Sequence, residues 1–395
     1  METKKFEKFG DKEKDIEQLE LKLTKLYSDW EQLKILWERA GIASDPLRLD
    51  ETTKNIEKFE KEIMPVLVEL LNIAGVERER FYESARKIRD ENAGKQIQVR
   101  GAIEVSNICR ANCLYCPMRR DNLKGSKQMR MSSDQIVEQA KLAHEAGIKE
   151  VFIQSGEDPQ MIPVVVDALR KIKSDHELQE LKVVLNLGDH KGSDYHLLAK
   201  AGAEGYLIKH ETIDEVLHKK MRPHTSIKER VNFLLRAREA GMYIGTGVIV
   251  GLPRQTDESL AKDIIFAGRL GSWKMVSCSP FTPSDETPLK GTPPGDFWKT
   301  LNMISIYRHL FPKARIPSVS NLDNEGLFTR PADLTITGQS AAINAGADGI
   351  TINITPPEIR KNYKIYDTEN KRHIVDFSKA ERISEETGLP LDIQE

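Results

Sequence analysis

Apolar residues recur in steps of three and four through Ile16, Leu19, Leu23, Leu26, Trp30, Leu33 and Trp37. That spacing lays one apolar stripe along a helix of roughly seven turns. Residues 41–46 interrupt the stripe, and Ile56, Phe59, Ile63 and Val66 resume it on a second helix that Pro65 can kink. Two such helices joined by a short loop predict an antiparallel helical hairpin over residues 1–75. Its stripes either pack on the rest of the chain or form a partner or dimer surface, with Trp30 and Trp37 as anchors.

From residue 76 onward the period changes. Short apolar, β-branched runs occupy 98–105, 150–154, 182–187, 205–209, 243–250, 274–279, 315–319 and 349–353, separated by helical patterns that include 132–146, 163–173, 226–240 and 258–270. Ser132 followed three residues later by Gln135 is a capping-box start. Eight strands alternating with helices predict parallel βα units, and that number closes a (β/α)8 TIM-type barrel over residues 76–395. An open doubly wound sheet is the alternative α/β arrangement. Ligand-binding residues of such barrels gather where strands end, and the polar motifs of this chain fall there. A group of cysteines follows the first strand, Ser155-Gly156-Glu157-Asp158 the second, Gly188-Asp189 the third and His210-Glu211-Thr212 the fourth; Gly251-Leu252-Pro253 closes the fifth. This placement predicts one shared site.

Charge and composition narrow the picture. Across 395 residues, 59 basic and 61 acidic side chains create no global field that would favour nucleic acid or an anionic membrane. The sequence has neither a signal peptide nor an apolar run near 18 residues, so a soluble, cytoplasmic protein is expected. Three of the four cysteines, Cys109, Cys113 and Cys116, lie within eight residues, unlike a secreted disulfide framework. Three soft thiolates this close suit an iron–sulfur cluster or zinc. A closed zinc site usually takes four ligands, and no second Cys pair or nearby His supplies the fourth. Around a four-iron cluster, three thiolates leave one iron open.

The cysteine spacing, three residues and then two, with Tyr115 before the last thiol, resembles that of radical S-adenosylmethionine (SAM) enzymes. Further motifs resemble the biotin synthase-like subgroup, its HydE-type maturases and methylornithine synthases above all. They are Arg100-Gly101 ahead of Ser106-Asn107, then 154–159, 206–212 and 245–253, then 280–283 with 287–289, and 353–356 with Tyr363 and Tyr366. The resemblance implies a 4Fe-4S cluster on Cys109, Cys113 and Cys116, with SAM on the open iron. It also implies a 5′-deoxyadenosyl radical acting on a small molecule in the barrel, and an electron donor such as ferredoxin or flavodoxin. Gly156 and Glu157 would receive the SAM methionine, Glu211 its sugar, and Tyr115 and Ile249 on the fifth strand its adenine. Related maturases carry Arg where Lys209 stands and Glu-Arg where Asp189-His190 stand. Lysine lacks the guanidinium fork, so the SAM carboxylate either loses a hydrogen bond or recruits His190 or His210.

Other readings remain open at this point. They are a maturase acting on an organometallic iron precursor, an amino-acid rearrangement, a non-catalytic iron–sulfur carrier or scaffold, and a zinc module. Cys278, on the sixth strand, is either a small buried filler or the candidate catalytic residue facing the lumen. With Thr246, Ser277, Ser318, Thr351 and Asn353 expected in that lumen, the substrate is a small, partly polar molecule.

Overall fold

The computed structural model describes residues 3–271, 273–324, 326–328, 334–365 and 373–393; Tyr366 and the side chain of Ile16 lie outside them. Three helices come first: α1 (Thr3–Arg39), α2 (Lys54–Leu71) and α3 (Gly75–Asn92). Leu19, Leu23, Leu26, Trp30, Leu33 and Trp37 are buried along α1, as the stripe requires. Gly41 turns the chain with φ of 62°, in the region open to glycine, and α2 runs on through Pro65.

Seven parallel strands follow in sequence: β1 (Ile97–Ser106), β2 (Glu150–Ser155), β3 (Lys182–Asn186), β4 (Gly205–Leu207), β5 (Tyr243–Val250), β6 (Met275–Pro280) and β7 (Gly349–Asn353). They lie in the order β6-β5-β4-β3-β2-β1-β7. The run expected as the seventh of eight strands, 315–319, pairs only at single residues. Arg315 exchanges hydrogen bonds with Lys274 and Val276 beside β6, while Ile316 and Ser318 bond to Asp348 and Gly349 at β7. Pro317 has no N–H to donate, which keeps this segment from forming a regular ladder. It nevertheless bridges β6 to β7 and completes the circle of an eight-membered α/β barrel. A two-residue strand that the sequence did not suggest, β8 (Leu391–Asp392), pairs with the start of β1.

The outer layer comprises α4 (Ser133–Glu145), α5 (Met161–Ser174), α6 (Gly192–Lys200), α7 (Glu215–Met221), α8 (Ile227–Glu239), α9 (Asp257–Arg269), α10 (Phe297–Leu310), α11 (Gly338–Asn344), α12 (Pro357–Arg360) and α13 (Phe377–Thr387). Capping boxes at Ser132/Gln135 and Ser226/Glu229 fix where α4 and α8 begin.

The N-terminal helices pack on the barrel itself. Trp30 and Trp37 meet edge to face, 5.2 Å apart, over Gly268 of α9. A Cβ on Gly268 would lie 2.6 Å from the Trp37 ring, so the indoles need a bare backbone there. Trp37 Nε1 donates to Glu60 at 2.8 Å, and Arg269 grips the same carboxylate with Nε and Nη2, each at 2.6 Å. Of the two readings open for this stripe, packing on the rest of the chain is the one the tryptophans follow: both are buried against the barrel.

Candidate active site

All strands run in one direction, so the loops after their C-terminal ends ring a single mouth. The cysteine loop leaves β1 there. Cys113 is buried, and Cys109 and Cys116 are half-buried; none forms a disulfide. Backbone bonds from Arg119 to Cys116 O and from Arg120 to Ala111 O fold the loop back on itself. Gly156, after β2, lies close beneath it. A Cβ there would stand 2.2 Å from the Ile108 carbonyl oxygen and 3.0 Å from Cys109 Cβ, so only glycine lets the two loops meet. The next N–H, of Glu157, points at Cys109 Sγ from 3.3 Å.

The Glu157 carboxylate accepts from Arg110 Nε at 2.8 Å and from the Asp189 N–H at 3.0 Å, tying together the loops after β1, β2 and β3. Two arginines not anticipated from the sequence complete this layer. Arg222, just beyond α7, places Nη1 3.1 Å from Cys113 Sγ and 3.2 Å from the Tyr115 hydroxyl, and Nη2 3.4 Å from Asp189. Arg230 of α8 pairs with the other Asp189 oxygen and donates from Nε to Lys209 O at 3.0 Å. Nothing in the sequence marks them, because they lie on helical segments about a hundred residues beyond the cysteines, and only the barrel closes that gap.

After β4, Lys209 Nζ donates to Ser279 Oγ at 2.9 Å and pairs with Glu211 at 3.3 Å. Glu211 holds a φ of 66°, uncommon for a residue with a Cβ. Its backbone bonds to Gly247 O and to the Ile249 N–H of β5 fix that conformation. A cavity of about 270 Å³ opens below the mouth. Among the expected site residues, Cys116, Tyr115, Lys209, Glu211 and Ile249 line it, together with Thr246, Ser277, Ser318, Thr351 and Asn353. Arg230 lines it as well, whereas Gly156, Glu157 and Asp189 do not border it.

Three expectations need correction. Cys278 does not face the lumen. Ser277 and Ser279 do, so strand alternation turns Cys278 outward, where its thiol is fully buried and directed at the Thr300 carbonyl of α10, 3.6 Å away. Burial also pushes its pKa up to about 12, and its position is that of the small buried filler, the other reading of this residue. The histidines considered as aids to Lys209 are also occupied elsewhere. His190 bonds to Leu187 O at 2.8 Å, and His210 bonds to Thr246 Oγ1 at 2.8 Å while facing Asp263 at 3.4 Å.

Burial raises the pKa of Cys109 to about 11 and also raises those of Cys113 and Cys116, while the Arg222 charge opposes the rise at Cys113. Loading iron must therefore displace thiol protons, as cysteine metal sites require. Among the described residues, no group of three His, Cys, Asp or Glu side chains converges as a single-ion site would. The donor set fits an iron–sulfur cluster: three free thiols on one loop, a glycine holding the neighbouring turn against it, and a buried arginine at one sulfur.

Residues 103–267 match the family model of the radical SAM superfamily. The chain is 39% identical over 289 residues to the [FeFe] hydrogenase maturase subunit HydE of Thermotoga maritima, covering 73% of this chain and 79% of that protein. It is 26% identical to 3-methylornithine synthase of Methanosarcina barkeri, covering 79% and 85%. The crystal structure of methylornithine synthase (PylB) superposes with a TM-score of 0.70 at 27% identity, covering 83% of this chain and 93% of that one. The chain belongs to the radical SAM superfamily, in the biotin synthase-like group with HydE and methylornithine synthase, and is an enzyme that uses a 4Fe-4S cluster and SAM.

Proposed function

We propose that Cys109, Cys113 and Cys116 hold the cluster and that SAM is held at the mouth by Tyr115, Gly156, Glu157, Asp189, Lys209, Glu211 and Ile249. When bound and reduced, the cluster supplies the electron that splits SAM into methionine and a 5′-deoxyadenosyl radical. The chain's own residues do the rest. Tyr115 and Ile249 belong to an apolar patch with Leu252 and Phe281, a surface suited to a flat base. The Glu157 carboxylate accepts two hydrogen bonds and has lone pairs left for an ammonium group. Lys209 offers a point charge to a carboxylate, and Arg230, whose Nε and Nη1 are bonded to Lys209 O and Asp189, adds a second cation in the same wall. Asp189 anchors Arg222 and Arg230, which acts on the site through their positions.

The substrate in this reading is a small, partly polar molecule enclosed by the barrel. The observation that carries it is the shared wall. Cys116 and Tyr115 border the same cavity as Lys209, Glu211 and Ile249, so a radical formed at the mouth meets whatever lies below it. Anaerobic reconstitution followed by dithionite and SAM should yield 5′-deoxyadenosine, and Cys113→Ala should abolish it together with cluster iron. A fully loaded protein that binds SAM and produces none would instead be an iron–sulfur carrier. The identity to HydE favours, within this reading, a role in [FeFe] hydrogenase maturation. Restoration of hydrogenase activity in a strain lacking HydE tests that role, and failure there with intact SAM cleavage excludes it.

A further inference from the structure

We infer that Arg222 raises the reduction potential of the cluster by holding a guanidinium charge against the Cys113 sulfur; this rests on the cluster lying at Cys109, Cys113 and Cys116. The thiols do not have equivalent surroundings. Cys109 Sγ faces a neutral backbone donor, the Glu157 N–H, at 3.3 Å. Cys113 Sγ instead faces Arg222 Nη1 at 3.1 Å, a donor carrying full charge on a residue only 5% exposed. A charge-assisted hydrogen bond is roughly twice as strong as a neutral one, and a buried setting strengthens it further.

The local balance of charge leaves that cation for the cluster. Arg222 and Arg230 share one carboxylate, Asp189, and among the described residues no other acid pairs with either of them. Glu157 is engaged by Arg110, and Glu211 by Lys209. The remaining neighbours of Arg222, the Tyr115 hydroxyl and the His224 ring, each 3.2 Å away, bring no negative charge. Two guanidiniums on one carboxylate leave a surplus positive charge in a buried site, which is unfavourable unless a further anion balances it. A cluster-bound thiolate is such an anion, and Cys113 is the one within reach.

The backbone keeps the two residues together independently of the guanidinium. Leu114 N–H donates to Met221 O at 2.9 Å, and Asn112 N–H donates to His224 Nδ1 at 3.3 Å. Residues on both sides of Cys113 are thus stitched to residues on both sides of Arg222. Reduction of the cluster takes up one electron, with no bond made or broken, and adds one negative charge. A guanidinium stays protonated, so its charge favours the reduced state and raises the potential.

The test is a redox titration of the reconstituted full chain without SAM, with dithionite as reductant and the paramagnetic signal of the reduced cluster as readout. At the potential where the wild type is half reduced, Arg222→Met should lower the ratio of reduced to oxidised cluster about tenfold. That is a shift of about 59 mV to lower potential for one electron. Arg222→Lys keeps the charge without the fork and should recover most of the shift. Asp189→Asn removes the shared counter-charge and should move the potential upward. An Arg222→Met variant that titrates with the wild type overturns the inference. Equal shifts in the Met and Lys variants also overturn it, since they reflect packing rather than charge. Should Arg222→Met hold too little iron to titrate, Asp189→Asn decides: a higher potential supports the inference, and an unchanged or lower one refutes it. A wild type that assembles no four-iron cluster overturns the cluster assignment instead.

Discussion

At the seam between α2 and α9, the buried Glu60 carboxylate takes hydrogen bonds from Trp37 and from two nitrogens of Arg269, whose third nitrogen reaches the carbonyls of Pro46 and Arg48. Asn302 of α10 likewise donates to Leu71 and Ile73 and accepts from the Tyr82 hydroxyl, while among the described residues Trp30 Nε1, Arg48 Nε, Arg78 Nε and the Tyr307 hydroxyl go without a hydrogen bond on this side of the barrel. The mouth of the barrel is as rich in buried charge, but there open bonding capacity borders a cavity. Asn353 Nδ2 on the cavity wall and Arg222 Nε have no hydrogen-bond partner, Glu211 Oε2 has the Lys209 ammonium 3.3 Å away, and three thiols lie on one loop. A satisfied polar network fixes one packing, whereas unfilled bonding capacity inside a cavity is what an incoming ligand completes. The seam thus supports the barrel wall and the mouth is arranged for chemistry.

The sharpest way to separate the two regions is Gly156→Ala. Its Cβ would collide with a backbone oxygen, 2.2 Å away, that cannot move without the cysteine loop. Iron per chain and 5′-deoxyadenosine should fall together to near background, while urea unfolding of the apo protein changes little. Glu60→Ala should do the reverse. It strands the Arg269 cation in a buried site and should lower unfolding free energy by about 3 kcal/mol, with SAM cleavage per folded molecule preserved. Equal damage to both properties by either variant would erase the distinction drawn between seam and mouth.

Acid should weaken the seam. His309 of α10 stacks on Phe81 of α3, 4.7 Å between rings, and meets the Tyr27 hydroxyl of α1. Burial lowers its pKa from 6.5 to about 4. The unfolded chain therefore takes up the proton first, and stability held above pH 6.5 is lost as pH falls through 6.5 toward 4, by about 3 kcal/mol at most. Buried His218 and the exposed His224 are shifted the same way, so the contribution of His309 is the difference between wild type and His309→Asn in unfolding measured near pH 7 and near pH 5. A seam without a titrating histidine would give parallel curves. The smallest expected effect is that of Cys278→Ala, which should lose about 1 kcal/mol of stability and leave SAM cleavage unchanged. Loss of cleavage in that variant would return Cys278 to the reaction.

Much of this architecture is written locally. The capping boxes at Ser132 and Ser226, the stripe on α1 and the β-branched runs each depend on neighbours in sequence, so they are legible. The cysteine motif is legible for the same reason, since its chemistry needs thiols at close spacing. Cys278 was misplaced because β6 is buried on both faces, where alternation of apolar and polar residues no longer marks the lumen. Segment 315–319 reads as a strand by composition, but Pro317 removes a donor that only pairing reveals as needed. Arg222 and Arg230 were invisible because their role depends on a helix returning over the mouth. An apolar stripe does not say which surface covers it, so the sequence leaves both packing on the chain and a partner surface open, and Trp30 and Trp37 follow the first.

The account rests on three thiols leaving one cluster iron for SAM. Low-temperature electron paramagnetic resonance of the reconstituted, dithionite-reduced chain, recorded before and after SAM is added, tests it most directly. The signal of the reduced four-iron cluster should change on SAM addition, and Cys113→Ala should show neither signal nor change. A fully loaded cluster whose spectrum is indifferent to saturating SAM would contradict it.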